Sequence, residues 1–170
     1  MCEHAHKPHH QMCFAFVGDA GLFSGYSLLM VGAKMGMDVR IGALKAYWPE
    51  QSILDMCEAF ARESGAKITL TEDPEEAVKG VDFIYTDIWV SMGEAAEVWN
   101  QRIHDLMPYQ VNAALIKATG NPRVKFMHCL PAYHNAETKV GKAVVEAHPE
   151  LAAGIEVTEE VFESPASIVF

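Results

Sequence analysis

The chain has 170 residues, half of them hydrophobic and 21% charged, with a formal net charge of -10. That acidic balance argues against a nucleic-acid or anionic membrane partner, since no basic patch is present to neutralise phosphates. No apolar run reaches the roughly 18 residues a spanning helix needs. The length fits one domain over 1–170 with a core of its own. The four cysteines, Cys2, Cys13, Cys57 and Cys129, are scattered and fit no disulfide framework, so a reducing cytoplasm is the simpler setting. Met1 to Gln11 is His-rich and polar, which is not a secretory signal.

In chain order, Cys13 to Gly18 (CFAFVG) is a short apolar run ending in Gly and predicts a buried strand. Ser27 to Met37 predicts a helix and Asp38 to Ala43 a second strand. Pro49 to Gly65 has helical spacing through Ile53, Leu54, Cys57 and Phe60, with Gly65 as its stop. Ala66 to Thr71 predicts a third strand, Asp73 to Lys79 a short capped helix, and Val81 to Thr86 a fourth strand. Helices are expected over Val98 to Leu106 and Asn112 to Ala118, a fifth strand over Lys125 to Cys129, and a helix over Lys139 to Ala147. Ile155 to Thr158 reads as a short strand and Glu159 to Glu163 as one helical turn. Strands alternating with helices at this spacing predict an α/β fold: a Rossmann-like, doubly wound, mainly parallel sheet of about five strands in three αβα layers.

Ligands of such sheets sit beyond the carboxyl ends of the strands. The loops Asp19–Tyr26, Leu44–Trp48, Asp87–Glu94 and Leu130–Asn135 therefore share one rim. The first has neither the G-x-G-x-x-G spacing nor a Gly-Lys-Ser/Thr ending, which argues against a dinucleotide. In the third, Asp87 either pairs with an ammonium group of a ligand or caps the next helix, and both readings stay open. At the end of the fifth strand, Cys129 is either a thiol at the mouth of a site or a buried structural cysteine beside a turn proline.

A set of longer strings narrows these choices. DIWVSMGE at 87–94 after FIYTD, and HCLP at 128–131 followed by Ala132–Tyr133–His134–Asn135, resemble ornithine carbamoyltransferases. So do WPE at 48–50, KITLTED at 67–73, PYQVN at 108–112, KATGNP at 117–122 and EVTEEVFES at 156–164. The resemblance covers essentially Phe14 to Phe170 and is to the family's ornithine-binding domain. It implies that Asp87, Ser91 and Met92 hold the ornithine, and that Cys129 and the Leu130 carbonyl lie at the reacting amine and the carbamoyl group. The implied reaction joins ornithine and carbamoyl phosphate to give citrulline and phosphate, with no cofactor and with a homo-oligomeric enzyme as the setting.

Departures from the family pattern set further expectations. The family's phosphate loop, Ser-x-Arg-Thr-Arg, lies in an N-terminal domain outside these residues, as does a later helix bearing an active-site Arg. The isolated chain is therefore expected to be a fragment without native turnover, because transfer without an anion clamp lacks its main electrostatic stabilisation. The first rim loop reads Gly18-Asp19-Ala20-Gly21-Leu22-Phe23-Ser24-Gly25-Tyr26-Ser27, where the family has a pattern like Gly-Asp-Ala-Arg-Asn-Asn-Met-Gly-Asn-Ser. Leu22 or Phe23 stands where an ornithine-binding Asn belongs. Leu44 replaces a usual Pro, Ala95 follows SMGE where Pro is common, and Tyr133 follows HCLP–Ala. Leu22, Phe23, Tyr26, Leu44 and Tyr133 all fall on the rim, a clustering expected of an engineered fragment whose open face was recut, either to cover exposed apolar surface or to make a new pocket.

Two more readings come from the Cys and His content. Cys2, His4, His6, His9, His10 and Cys13 lie within a dozen residues, either as a solvated relic of a linker helix or as an engineered divalent-metal site using His9 and Cys13 with His6 and His10. A rim metal on Asp87, His128 and His134 is a further possibility. A designed hydrolase would pair Cys129 with His128 or His134, and strand alternation favours His134.

Overall fold

The structure, a computed structural model, describes residues 1–89 and 96–170. Five strands form one sheet in the order β3-β2-β1-β4-β5. They are β1 (Cys13–Val17), β2 (Asp38–Gly42), β3 (Lys67–Thr71), β4 (Phe83–Thr86) and β5 (Lys125–His128), and every pairing is parallel. The helices are α1 (Cys2–Ala5), α2 (Phe23–Lys34), α3 (Gln51–Ser64), α4 (Pro74–Val78), α5 (Ala96–Leu106), α6 (Ala113–Ala118), α7 (Lys139–Ala147) and α8 (Glu159–Phe162). The chain runs outward from β1 to β3, then returns to place β4 and β5 on the other side of β1. The winding thus reverses between β1 and β4, the place where such sheets open a crevice.

Alternation along the strands builds a core on each face. Phe14 and Val39 pack under α2 and α3 with Leu29, Ala33 and Cys57. Ala15, Val17, Ile84 and Phe126 face the other way and meet Ala77, Val78, Leu115, Val161 and Phe162 of α4, α6 and α8. A third cluster, Trp89, Ile103, Leu106, Val144, Leu151 and Ile155, joins α5 and α7 to the exit of β4.

Local chemistry sets the helix ends. The Asp73 carboxylate accepts from the Glu75 and Glu76 amides at the start of α4, and the Asn112 and Thr138 side chains cap α6 and α7 in the same way. Gly65 closes α3 in the left-handed region. Gly18, at the end of β1, has φ 120, a backbone conformation that residues with a side chain rarely adopt.

Two element expectations need correcting. α2 begins at Phe23 and not at Ser27, so Phe23 and Tyr26 sit in its first turn. The run Phe-Ser-Gly-Tyr has weak helix propensity and gives no apolar period, and tertiary packing decides the boundary. Ile155 to Thr158 is no strand: it makes only isolated bridges, Val111 to Val157 and Gly154 to Thr158. The free edge of β5 is instead bridged by Ser167, which pairs with Phe126.

Candidate functional site

The rim is tied together by charge. Asp19, 4% exposed and just past β1, forms an ion pair with Arg102 of α5 at 2.5 Å, and its other oxygen accepts from the Gly21 amide at 2.9 Å. The Arg102 Nε donates to the Trp89 carbonyl at 2.6 Å, and its guanidinium lies over the Tyr47 ring at 5.5 Å. The Tyr47 hydroxyl donates to Asp105 at 3.1 Å, and burial followed by that carboxylate pushes the phenol up to about 12. One guanidinium therefore fixes the exits of β1, β2 and β4 relative to one another. Nothing in the sequence marks Arg102, which lies 83 residues from its partner.

Asp87 and Cys129 end neighbouring strands. Thr86 and His128 are register partners, and the Cys129 amide donates to the Thr86 carbonyl at 3.2 Å. The next residue on each strand is Asp87 and Cys129, so the two lie side by side on the face that also carries Tyr85, two residues before Asp87. The Tyr85 phenol is pushed up to about 12 by burial, with Cys129 and Asp87 adding to the effect, which places all three within electrostatic reach. The Asp87 carboxylate accepts from the Ile88 amide at 2.8 Å and starts no described helix. The Cys129 thiol is half-buried and lies 3.9 Å from the Leu130 carbonyl oxygen. Ser91 and Met92, expected to hold ornithine, and Ala95 lie outside the described residues.

The two histidines are occupied elsewhere. His128 points to the opposite face, where Nε2 lies 2.9 Å from Glu156 Oε1 and Nδ1 contacts the Cys129 carbonyl. His134 lies 2.7 Å from Glu159 Oε2 and stacks on Phe162 with ring centroids 3.7 Å apart. Neither ring makes a hydrogen bond with the Cys129 thiol, and strand alternation explains it for His128. The expected Cys129–His pair of a hydrolase is not assembled. The rim metal on Asp87, His128 and His134 fails for the same reason, since both rings face carboxylates away from Asp87. Glu156 and Glu159 were within reach of sequence reasoning only as members of EVTEEVFES, without a sign of which histidine each would meet.

The N-terminal metal expectation also needs correcting. Among the described residues, no three His, Cys, Asp or Glu side chains gather to hold a metal. His6 closes α1, His9 and His10 lie on one exposed turn, and the thiol of Cys2 lies 3.0 Å from His9. Cys13 is drawn into β1, half-buried and apart from that turn, where burial and then Asp38 push its thiol up to about 12.

The five unusual rim residues do not share one environment. Phe23 is 88% exposed, and Leu44 packs against the α4 and α6 core. Leu22 is the extended residue before α2, Tyr26 lies in the first turn of that helix, and Tyr133 belongs to the turn after β5. An open concavity of about 920 Å³ does lie beside that turn, but Leu130, Pro131, His134, Glu159, Phe162 and Phe170 contribute to its lining and none of the five does.

A doubly wound parallel sheet with a carboxylate and a thiol at the carboxyl ends of adjacent strands defines an α/β domain of the kind whose ligands sit at that rim. The chain belongs to the aspartate/ornithine carbamoyltransferase family, matching the model of its Asp/Orn binding domain over residues 10–170. It is 63% identical over 170 residues to the catabolic ornithine carbamoyltransferase of Pseudomonas putida and 62% identical to an ornithine carbamoyltransferase of Haemophilus influenzae, all of this chain and 51% of each relative being covered. Among solved structures it is similar to the ornithine carbamoyltransferase of Pyrococcus furiosus, with a TM-score of 0.78 and 36% identity over 95% of this chain and 45% of that one. The Thermus thermophilus ornithine carbamoyltransferase superposes with a TM-score of 0.71 at 30% identity, over 99% of this chain and 45% of that one. The chain thus spans about half the length of the curated relatives it matches.

Proposed function

We propose that this chain supplies the ornithine side of a carbamoyl transfer. The observation that carries this reading is the placement of Asp87 and Cys129 side by side at the ends of β4 and β5, on the rim where the sheet reverses. The Asp87 carboxylate pairs with an ammonium group of the amino acid, and charge-assisted hydrogen bonds of that kind are the stronger ones. Ser91 and Met92 complete the grip on the amino acid. Cys129 and the Leu130 carbonyl face the reacting side-chain amine. The amine nitrogen forms a bond to the carbamoyl carbon, the carbon–oxygen bond to phosphate breaks, phosphate leaves with that electron pair, and the amine gives up a proton. Citrulline and phosphate result.

Charge develops on the departing phosphate, and its stabilisation needs preorganised cationic donors. We place that clamp outside these 170 residues, so the chain alone does not turn over. A citrulline assay with ornithine and carbamoyl phosphate tests this. The chain alone should give only background, and mixing it with the remaining half of a relative should restore turnover that Asp87→Asn and Cys129→Ala each abolish. Turnover by the chain alone near that of an intact relative, or restored turnover insensitive to both substitutions, would contradict the reading.

A further inference from the structure

The turn that carries Cys129 and Leu130 is held from the far side of the sheet. The His128 and Glu156 side chains are 0% and 1% exposed, the most deeply buried of the described ion pairs. The ring contacts Glu156 Oε1 through Nε2 and the Cys129 carbonyl through Nδ1. Both partners are acceptors, and each lies within hydrogen-bond reach of one ring nitrogen. Phe126 and Phe162 press their rings edge-on against His128, with centroids 6.3 and 6.1 Å away. Glu156 is itself braced: its carbonyl accepts from the Val111 amide at 2.9 Å, and the amide of Ile155 donates to the His134 carbonyl at 2.9 Å. An apolar pair of similar volume would stabilise this core at least as well as a buried polar one. What the polar pair adds is a directed contact to the main chain next to the thiol.

We infer that Glu156 is a positioning residue for the transfer: through His128 it fixes the peptide joining Cys129 to Leu130, and with it the direction of the Cys129 thiol and the Leu130 carbonyl. Glu156 touches no substrate. The inference rests on the reading of Cys129 and Leu130 as the groups that face the reacting amine.

The test is alkylation by iodoacetamide of the 170-residue chain, followed residue by residue by peptide mass spectrometry. Buried Cys57 serves as the internal gauge of global opening. Glu156→Ala should raise the Cys129 rate about threefold or more relative to that of Cys57, because the turn opens locally. Glu156→Gln, whose amide oxygen still accepts from the ring, should stay within about twofold of the unmodified chain. His128→Asn removes the bond to the Cys129 carbonyl while keeping Glu156 and should repeat the Glu156→Ala rise, which keeps the test decisive if Glu156→Ala does not fold. Val157→Ala, a cavity in the adjoining core, should leave the ratio unchanged. A ratio unmoved by Glu156→Ala and His128→Asn, or moved equally by Val157→Ala, would overturn the inference. The readout needs no turnover: an altered ratio with no citrulline from the complemented enzyme would overturn the proposed function, leaving only the hold of Glu156 on the Cys129 turn.

Discussion

Asp19 and Arg102 meet as an ion pair 2.5 Å across, with the carboxylate 4% and the guanidinium side chain 15% exposed. The pair joins the exit of β1 to α5, and through the Trp89 carbonyl it sets the path the chain takes as it leaves Asp87. Removing one partner of such a pair strands the other charge, whereas removing both does not.

Arg102→Met should accordingly cost about 3 kcal/mol of folding stability, near the lower end for buried pairs because the arginine keeps some contact with water. Asp19→Asn combined with Arg102→Met should recover part of that loss. Urea denaturation of the two variants checks the order, and a single variant costing under about 1 kcal/mol would show the pair to be as weak as a surface contact.

The sequence made the sheet legible because each strand is an apolar run bounded by Gly, Asp or Pro, and the five runs at Cys13, Asp38, Lys67, Phe83 and Lys125 stand where they were expected. Asp87 and Cys129 were legible as strand-end residues, and their adjacency follows from parallel register. The rest depends on contacts that no local pattern encodes. Arg102 reaches Asp19 across 83 residues and Glu156 reaches His128 across 28. The clustering of Leu22, Phe23, Tyr26, Leu44 and Tyr133 along the chain's rim loops did not translate into one shared environment. A strand end fixes which edge a residue occupies but not which way its side chain turns, and Leu44 turns into the core while Phe23 turns to solvent.

Gly25 should resist substitution. A Cβ there would lie 2.3 Å from the Ala20 carbonyl oxygen, so the first turn of α2 and the Asp19 loop cannot both keep their places. Gly25→Ala should destabilise the chain by about 1–3 kcal/mol, the range for overpacking, read as a lower thermal midpoint. An unchanged midpoint would mean that α2 starts differently from the packing described above.

The alkaline limb of stability should depend on Cys13. Burial and then Asp38 raise its thiol from 9.0 to about 12, so the folded chain keeps the proton that the unfolded chain releases. The contribution is fully present below pH 9.0 and is lost as the pH rises toward 12. Cys13→Ala should flatten the fall in stability over that interval, measured by urea unfolding at stepped pH. A limb as steep as that of the unmodified chain would assign the loss to other groups, Tyr47 and Tyr85 first among them.

Ornithine should bind this chain only weakly, since a site that lacks one hydrogen-bonding partner for a polar ligand loses about 1–3 kcal/mol. Calorimetric titration checks it. Micromolar affinity in the unmodified chain would mean that neither Leu22 nor Phe23 stands at the ornithine-binding position.

The claim that Asp87 and Cys129 mark an amino-acid site is tested most directly by titrating the labelled chain with ornithine and following its amide resonances by nuclear magnetic resonance. Saturable shifts should appear over 85–88 and 128–130, with a midpoint in the millimolar range, and should vanish in Asp87→Asn. Shifts confined to other parts of the sheet, or shifts at the rim that survive Asp87→Asn unchanged, would contradict the assignment of this rim as the ornithine site.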